Sequence, residues 1–364
     1  MRIGVDIKAF KNGTTGIARY LRSILEELQK LDVENEYILF SCAPSDYVLS
    51  NPRWKKIITV WRLPGILWQQ FILPGLLKKN MIDVLWAPEQ VCPVFFTGSI
   101  RIITTVYDLT FMRYPETSVW SNRWIQKLFF PLTISRSETL APISEYIGRE
   151  VNRWYPRRAH MKNVVTIPCS GRDWSVPADY YPSQRGNFLF FAGNLEPRKN
   201  LIRLILALEL IHKRDGLTIP LHIAGPSGWK NQTLISLINN SPIKESIKLL
   251  GYISEEELKR EYCTCKALVY PSLYEGFGIP VLEALSLDCL VLTSAGTVMQ
   301  EIAGEAAVYF NAEKVQSIAD AITLVYGKKF NRNRYLNAGK NIVMQYGWNT
   351  SAGSLLAILK KTSR

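Results

Sequence analysis

Short apolar runs bounded by turn residues alternate along this chain with stretches whose apolar positions recur every three or four residues. In the first half the runs are RIGVDI, EYILFSC, DVLWAP, RIITTVYDL, TLAPIS and VVTIPC. The helical stretches between them are Ile17 to Lys30, Trp68 to Lys79, Trp120 to Ser135 and Glu145 to Trp154. The second half repeats the plan with FLFFAG, LHIAG, IKLLGY, ALVYPS and LVLTSA. Helices are predicted there over Asn200 to His212, around Leu234, and over Glu255 to Cys263, Pro280 to Leu287 and Val315 to Tyr326. Such a βαβ succession predicts mainly parallel sheets with helices on both faces, here two doubly wound Rossmann-like units of class α/β. The join falls in Cys169 to Asn187, rich in Gly, Pro, Ser and Asp and without periodicity. Two such sheets facing each other are expected to enclose a cleft.

Length agrees with two units, because 364 residues exceed what one hydrophobic core usually serves. With 47% hydrophobic and 21% charged residues the composition is that of a globular protein. The six cysteines (Cys42, Cys92, Cys169, Cys263, Cys265, Cys289) form no C-x-x-C framework. Free, buried thiols in a reducing compartment are expected, and no metal site. MRIGVDIKAF alternates like a strand and shows no secretory pattern, so a cytoplasmic location is expected. The most apolar stretch, Leu63 to Leu77, contains two Pro and two Gln, so no span is predicted.

Charge changes the picture. A net +13 calls for a polyanionic neighbour, whether nucleic acid, anionic lipid or a phosphorylated substrate. Tryptophans sit beside basic residues in the first half, at Trp54 with Arg53, Lys55 and Lys56, at Trp61 with Arg62, at Trp124 with Arg123, and at Trp154 with Arg153, Arg157 and Arg158. That mixture suits a membrane interface, although core tryptophans among solvated cations would read the same.

The chemistry concentrates in two segments that each follow a strand and open a helix. In YPSLYEGFGIPVLEAL (270–285), Gly276 and Gly278 let backbone approach a ligand. The amides near Phe277, Gly278 and Ile279, with the helix dipole, form a seat for phosphate, and Pro280 is placed to begin the helix. Glu275 and Glu283, seven residues between them, can accept hydrogen bonds from a sugar and a ribose diol. A plain strand–loop–helix connection would use the same residues. The second segment, FAGNLEPRKN after FLFF, puts Gly193, Arg198 and Lys199 at the carboxyl end of the sheet. Paired cations at a helix start oppose the dipole unless an anion sits between them. Lys199→Ala is therefore expected to lower turnover and leave folding intact.

Together, E-G-F-G-x-P-x-x-E-A after strand-plus-P-S and G-N-L-E-P-R-K-N resemble glycosyltransferase family 4, the retaining group 1 transferases of GT-B fold. TTGIARYLRSIL, WQQFILPGLLKKNMIDVLWAP, VYDLTFMRYPE, ISEYIGREV and the closing GWNTSAGSLLAIL extend the resemblance over most of the chain. It implies residues 1–170 plus 346–364 as an acceptor-binding domain, 171–186 as a linker and 187–345 as a donor-binding domain, with the last helix returning to the first. It further implies that Glu283 holds the donor ribose and that Glu275 with the 276–279 backbone holds sugar and diphosphate. Arg198 and Lys199 would neutralise the leaving phosphates. Transfer of a hexose from UDP-glucose, GDP-mannose or a similar donor to a polysaccharide or lipid-linked saccharide is the implied reaction, with no metal and no cofactor beyond the donor.

Gly13 and Gly16, before the first long helix, could bring an amide toward the diphosphate, and Tyr252 and Ile253 lie where the family reads the base. Tyr107 stands where many members carry a His that contacts the sugar, followed by Asp108 as in the family. A phenol keeps a donor hydroxyl and lacks titration near neutrality, which leaves open an altered substrate, an altered rate or lost activity. Asn194 departs from the Arg that many members carry there. The three histidines (His160, His212, His222) show no metal or triad spacing and read as structural. Rival readings are a GT-B nucleotide-sugar epimerase, lacking identifiable extra acid/base groups, and a non-catalytic basic module binding membrane or nucleic acid. A dehydrogenase is disfavoured because no G-x-G-x-x-G follows the first strand.

Overall fold

The computed structural model describes all residues except 13–14, 63, 97, 118, 161, 177–184, 227, 229–230 and 363–364; Gly13 thus lies outside the described residues. The chain divides into two compact units, Met1–Cys169 with Gly347–Arg364, and Ser170–Tyr346.

The first unit holds seven strands: β1 (Arg2–Asp6), β2 (Glu36–Ser41), β3 (Trp54–Ile58), β4 (Val84–Ala87), β5 (Arg101–Val106), β6 (Thr139–Pro142) and β7 (Asn163–Val164). They pair in the order β3-β2-β1-β4-β5-β6-β7, all parallel. The central strands are buried along their length, as Val84–Ala87 shows, because helices cover both faces. Apolar patterning did not announce β3. It is an edge strand whose Lys55 and Lys56 keep its open side soluble. Trp54, which the sequence left between a membrane interface and the core, is buried and stacks on Tyr37 at 4.1 Å.

The predicted helix from Trp68 to Lys79 is split into a π-type segment, Trp68–Ile72, and an α-helix, Leu73–Lys79. Pro74 has no N–H for the ladder, so the α pattern cannot run through it. Gln69 and Gln70 point inward: Gln69 Nε2 donates to Asp6 Oδ2 (2.8 Å) and to the Val91 carbonyl (2.7 Å), Gln70 Nε2 to the Cys92 carbonyl (2.9 Å). The chain's last helix, Trp348–Thr362, packs on the first, Gly16–Leu31, with Leu355 and Leu359 buried. Ser351 Oγ bonds the Pro168 carbonyl (2.8 Å), and Lys360 pairs with Glu34.

The second unit holds β8 (Leu189–Ala192), β9 (Leu221–Ala224), β10 (Ile247–Gly251), β11 (Ala267–Tyr270), β12 (Leu290–Ser294) and β13 (Ala307–Phe310). Their order is β10-β9-β8-β11-β12-β13, again all parallel. Helices Leu201–Asp215, Gln232–Asn240, Glu255–Thr264, Ile279–Ser286 and Val315–Tyr326 stand where periodicity placed them. Met299–Ala303, β13 and Arg332–Val343 were not anticipated.

All six cysteines are free and buried, and Cys265 Sγ faces Cys289 Sγ at 3.3 Å. His222 is stacked on Phe188 at 4.0 Å and paired with Glu261. Among the described residues no helix is long and apolar enough to cross a membrane.

Candidate functional site

In each sheet the strand order reverses beside the unit's first strand, between β1 and β4 and between β8 and β11. Such a switch point opens a crevice at the carboxyl ends of the strands, where ligands of doubly wound sheets bind. In the second unit the two loops flanking that crevice are the two segments singled out in the sequence. The loop after β8 ends in a 3-10 turn, Pro197–Lys199, and the loop after β11 carries Glu275.

The two loops are locked together. Lys199 Nζ donates to Glu275 Oε1 and Arg198 Nη1 to Glu275 Oε2, each at 2.6 Å. Tyr270, at the end of β11, completes the cluster: Lys199 Nζ reaches its hydroxyl (2.6 Å), and the hydroxyl donates to Glu275 Oε1 (3.2 Å). Arg198 Nη1 also bonds the Tyr274 carbonyl (2.6 Å). Asn200 adopts φ 61° and bonds the carbonyls of Pro271 (3.1 Å) and Ala312 (2.7 Å), which fixes the turn presenting both cations. Sequence reasoning missed Tyr270 and Asn200, although both stand inside the quoted motifs.

Burial would raise the Glu275 pKa, but the charges of Arg198 and Lys199 and their hydrogen bonds outweigh it and hold it at about 2. Burial likewise opposes the Lys199 charge, and Glu275 and Tyr270 more than offset it, so its pKa is raised. The anion between the paired cations is therefore a side chain of this chain. The expectation that Lys199→Ala leaves folding intact is corrected: Lys199 is buried and ion-paired, not an exposed cation at a helix start.

Gly278 caps the helix Ile279–Ser286 with φ 118°, and Pro280 is its second residue rather than its first. Gly278 has no side chain to cap this N-terminus, Pro280 has no N–H, and the Val281 N–H donates to the Gly278 carbonyl (2.9 Å). Phe277 is buried edge-on to Tyr346 (5.6 Å), so its side chain is packed into the second unit.

Glu283, inside that helix, is also engaged. Its Oε1 accepts from Arg172 Nη1 and its Oε2 from the Tyr262 hydroxyl (3.3 Å). The Arg172 guanidinium lies 4.7 Å over the Trp174 ring and its Nε 3.3 Å from Glu255. Arg172 and Trp174 lie in the stretch read as linker, and nothing in local sequence marked them.

The loops after β8, β9 and β10 are stitched by backbone. Gly193 N–H donates to the Ala224 carbonyl (2.9 Å) and Gly225 N–H to the Gly251 carbonyl (2.8 Å). Tyr252, next to Gly251, is largely exposed and Ile253 half-buried, at the same end of the sheet.

Gly16, Tyr107 and Asp108 belong to the first unit. Gly16 starts its helix, but Thr15 accepts the Ala18 N–H there (3.2 Å), so a side chain already caps that terminus. Tyr107 follows β5; burial holds its pKa well above the usual value, and its hydroxyl finds no partner among the described residues. Gln90 clamps this turn, its Oε1 accepting from Tyr107 N (3.1 Å) and Asp108 N (3.2 Å). At the β1/β4 switch point Lys8 bridges Asp6 (3.0 Å) and Glu89 (2.7 Å), and burial raises the Glu89 pKa against the Lys8 charge. Gln90, Lys8 and Glu89 escaped the sequence reading.

Two parallel sheets of Rossmann order, with a paired-cation loop and an uncapped glycine-led helix in the second, define the GT-B class of fold. The chain superposes on sucrose-phosphate synthase from Thermosynechococcus elongatus with a TM-score of 0.78, at 15% identity, covering 99% of this chain and 98% of that one. For Anabaena Alr3699/HepE in complex with UDP and glucose the TM-score is 0.75, at 15% identity, covering 99% of both. Residues 177–342 match the family model of glycosyl transferases group 1.

Among relatives in sequence, O-antigen chain mannosyltransferase B of Escherichia coli is 28% identical over 228 residues, 60% of this chain and 59% of that protein. The serotype-specific mannosyltransferase WbdA of Escherichia coli is 28% identical over 353 residues, 88% of this chain and 42% of that protein. The matched regions thus span about 59% and 42% of these relatives' own lengths.

Proposed function

We propose that the protein is a retaining hexosyltransferase that moves a hexose from a UDP- or GDP-linked donor to a polysaccharide or lipid-linked saccharide acceptor. The observation that carries this reading is the Lys199–Glu275–Arg198 cluster at the β8/β11 switch point, beside a helix N-terminus no side chain caps. The relatives named mannosyltransferases favour mannose as the hexose, and the UDP in the Anabaena structure keeps a uridine donor in contention. On this reading the second unit holds the donor and the first the acceptor, at the cytoplasmic side of an anionic membrane.

The anomeric C–O bond to the β-phosphate breaks while the acceptor oxygen bonds the same carbon from the same face, and the acceptor proton passes to the departing phosphate oxygen. Negative charge grows on that leaving group. Arg198 and Lys199 are fixed cations for it, and the amides from Gly276 to Ile279 add oriented dipoles, a preorganised field needing little rearrangement. Glu275, ionised at neutral pH, orients both cations and can accept from a sugar hydroxyl. Glu283 suits a ribose diol, and the Tyr107 hydroxyl supplies a hydrogen bond where relatives use His.

A thermal-shift screen with UDP, GDP, ADP and their glucose and mannose conjugates tests the reading, since a ligand of the folded state raises the melting temperature. A rise with one diphosphate fixes the base, and NMR of the product anomer then decides retention. No shift with any nucleotide at millimolar concentration overturns the reading.

A further inference from the structure

We infer that the helix Trp120–Arg136 and the adjoining Phe71 and Phe95 form the face by which the first unit lies on an anionic membrane surface. This names the membrane-facing element of the reading above and rests on it. The helix carries Trp120, Trp124, Leu128 and Leu132 at four-residue spacing, so the four side chains follow one another along one side. All four are exposed, Trp120 to 74% and Trp124 to 54%, and the two indoles meet at 6.5 Å. The apolar surface continues off the helix: Phe129 meets the exposed Phe95 at 6.1 Å, and Phe95 stacks on the exposed Phe71 at 6.1 Å.

Soluble surfaces seldom hold so many large apolar groups together without a partner. The composition selects which partner. Indoles at the margin of an apolar strip suit the headgroup region, where one edge is wet and the other dry. Residues 119–162 carry eight Lys or Arg against three Asp or Glu. Some of these cations are held against the helix itself: Arg158 Nη1 donates to the Pro131 carbonyl (2.6 Å) and Ser135 Oγ (2.8 Å), and Lys162 Nζ to the Ser135 carbonyl (2.8 Å). Arg149, Arg153 and Arg157 are exposed on the segments that follow. A second copy of the chain meeting this face about a two-fold axis would set two cationic surrounds against each other. An anionic lipid surface complements both the apolar strip and the charge around it. The helix lies in the interface plane and does not span.

The structure also separates this face from the tryptophans that sequence grouped with it. Trp54 is core, Trp61 packs against the core and Trp154, on the separate helix Glu145–Trp154, ties its indole Nε1 to Glu150 Oε2 (3.3 Å), so Trp120 and Trp124 carry the interfacial signal.

The test is flotation of the full chain with phosphatidylcholine vesicles and with vesicles containing phosphatidylglycerol, at low salt and at about 0.5 M salt, where surface attraction is screened. The wild type is expected to float with the anionic vesicles and to lose most of that binding in high salt. Trp120→Ser/Trp124→Ser is expected to partition at least about ten-fold less with an unchanged melting temperature, both side chains being exposed. Should that variant melt lower, Phe71→Ser carries the same comparison from another segment. A wild type that never floats overturns the membrane reading and this inference with it. Equal flotation of wild type and variants overturns the assignment of this face while the membrane reading stands. A wild-type dimer in the absence of lipid, abolished by the same substitutions, assigns the face to a second copy instead.

Discussion

Lys199 and Glu275 meet at 2.6 Å between Nζ and Oε1, joining the loops that flank the β8/β11 switch point. The two cations proposed for a leaving diphosphate thus already share one carboxylate of the same chain, and a ligand anion must compete with it for them. Removing that competitor separates binding from catalysis. Glu275→Gln is expected to bind the free nucleoside diphosphate more tightly than wild type, by calorimetric titration. Donor turnover should fall by about 10²–10³, the scale on which losing one preorganised electrostatic partner acts. Weaker diphosphate binding in the variant would show that Glu275 organises the cations rather than competing for them.

The same pair sets a pH window for stability. Glu275 titrates at about 2 in the folded chain against an ordinary 4.5, so its contribution is complete above about pH 4.5 and is lost as pH falls through 2. The Lys199 pKa is raised above its ordinary 10.5, so its contribution is complete below that value and is lost only as pH climbs past it. Urea unfolding from pH 6 down to pH 2 should show wild type losing up to about 3 kcal/mol through this carboxylate, which titrates at about 2 rather than 4.5. Glu275→Gln lacks that limb, and parallel curves for the two proteins would contradict the assignment.

Two glycines distinguish backbone conformation from space. Gly216 ends the helix Leu201–Asp215 at φ 66°, its N–H on the His212 carbonyl, with nothing near the position a Cβ would take. Gly225, at φ 144°, would place a Cβ 2.0 Å from the Gly193 carbonyl oxygen, a backbone atom that the neighbouring strands hold. Gly216→Ala should therefore cost about 1 kcal/mol, the left-handed penalty alone. Gly225→Ala should cost more than about 3 kcal/mol, because the loop after β8 that carries Gly193 or the loop after β9 that carries Gly225 must move. Chemical denaturation of both variants measures the contrast, and similar losses would contradict it.

How much of this was legible follows from how each feature is encoded. FLFFAG and ALVYPS announced β8 and β11 because strands buried on both faces read as unbroken apolar runs, whereas β3 hid because an edge strand can carry Lys55 and Lys56. The two motif loops were visible locally through their glycines and charges. Their meeting was not: Lys199 and Glu275 are 76 residues apart, and only the strand order brings β8 beside β11. Hence the sequence reading left the space between two cations for a ligand that the chain fills itself. Arg172 was hidden for a different reason, since a residue in an aperiodic stretch gives no sign of the buried carboxylate it neutralises.

That last contact yields a prediction about the ribose-binding candidate. Glu283 is nearly fully buried within the helix Ile279–Ser286, and Arg172 with the Tyr262 hydroxyl supplies partners for its two oxygens. Arg172→Met strands a carboxylate in a low-dielectric site, so a loss of about 3–5 kcal/mol is expected. Glu283→Gln strands the better-hydrated partner, because Arg172 is more exposed than Glu283 and also reaches Glu255, so its loss should be smaller. The double variant should lose less than the sum of the two, by at least about 1 kcal/mol, which urea denaturation of all four proteins measures as a coupling. Nucleotide affinity then separates structure from binding. If Glu283 holds the ribose diol, Glu283→Gln weakens nucleoside diphosphate binding more than Arg172→Met does, despite being the more stable variant. The reverse order would make Arg172, stacked over Trp174, the ligand contact and leave Glu283 as its anchor.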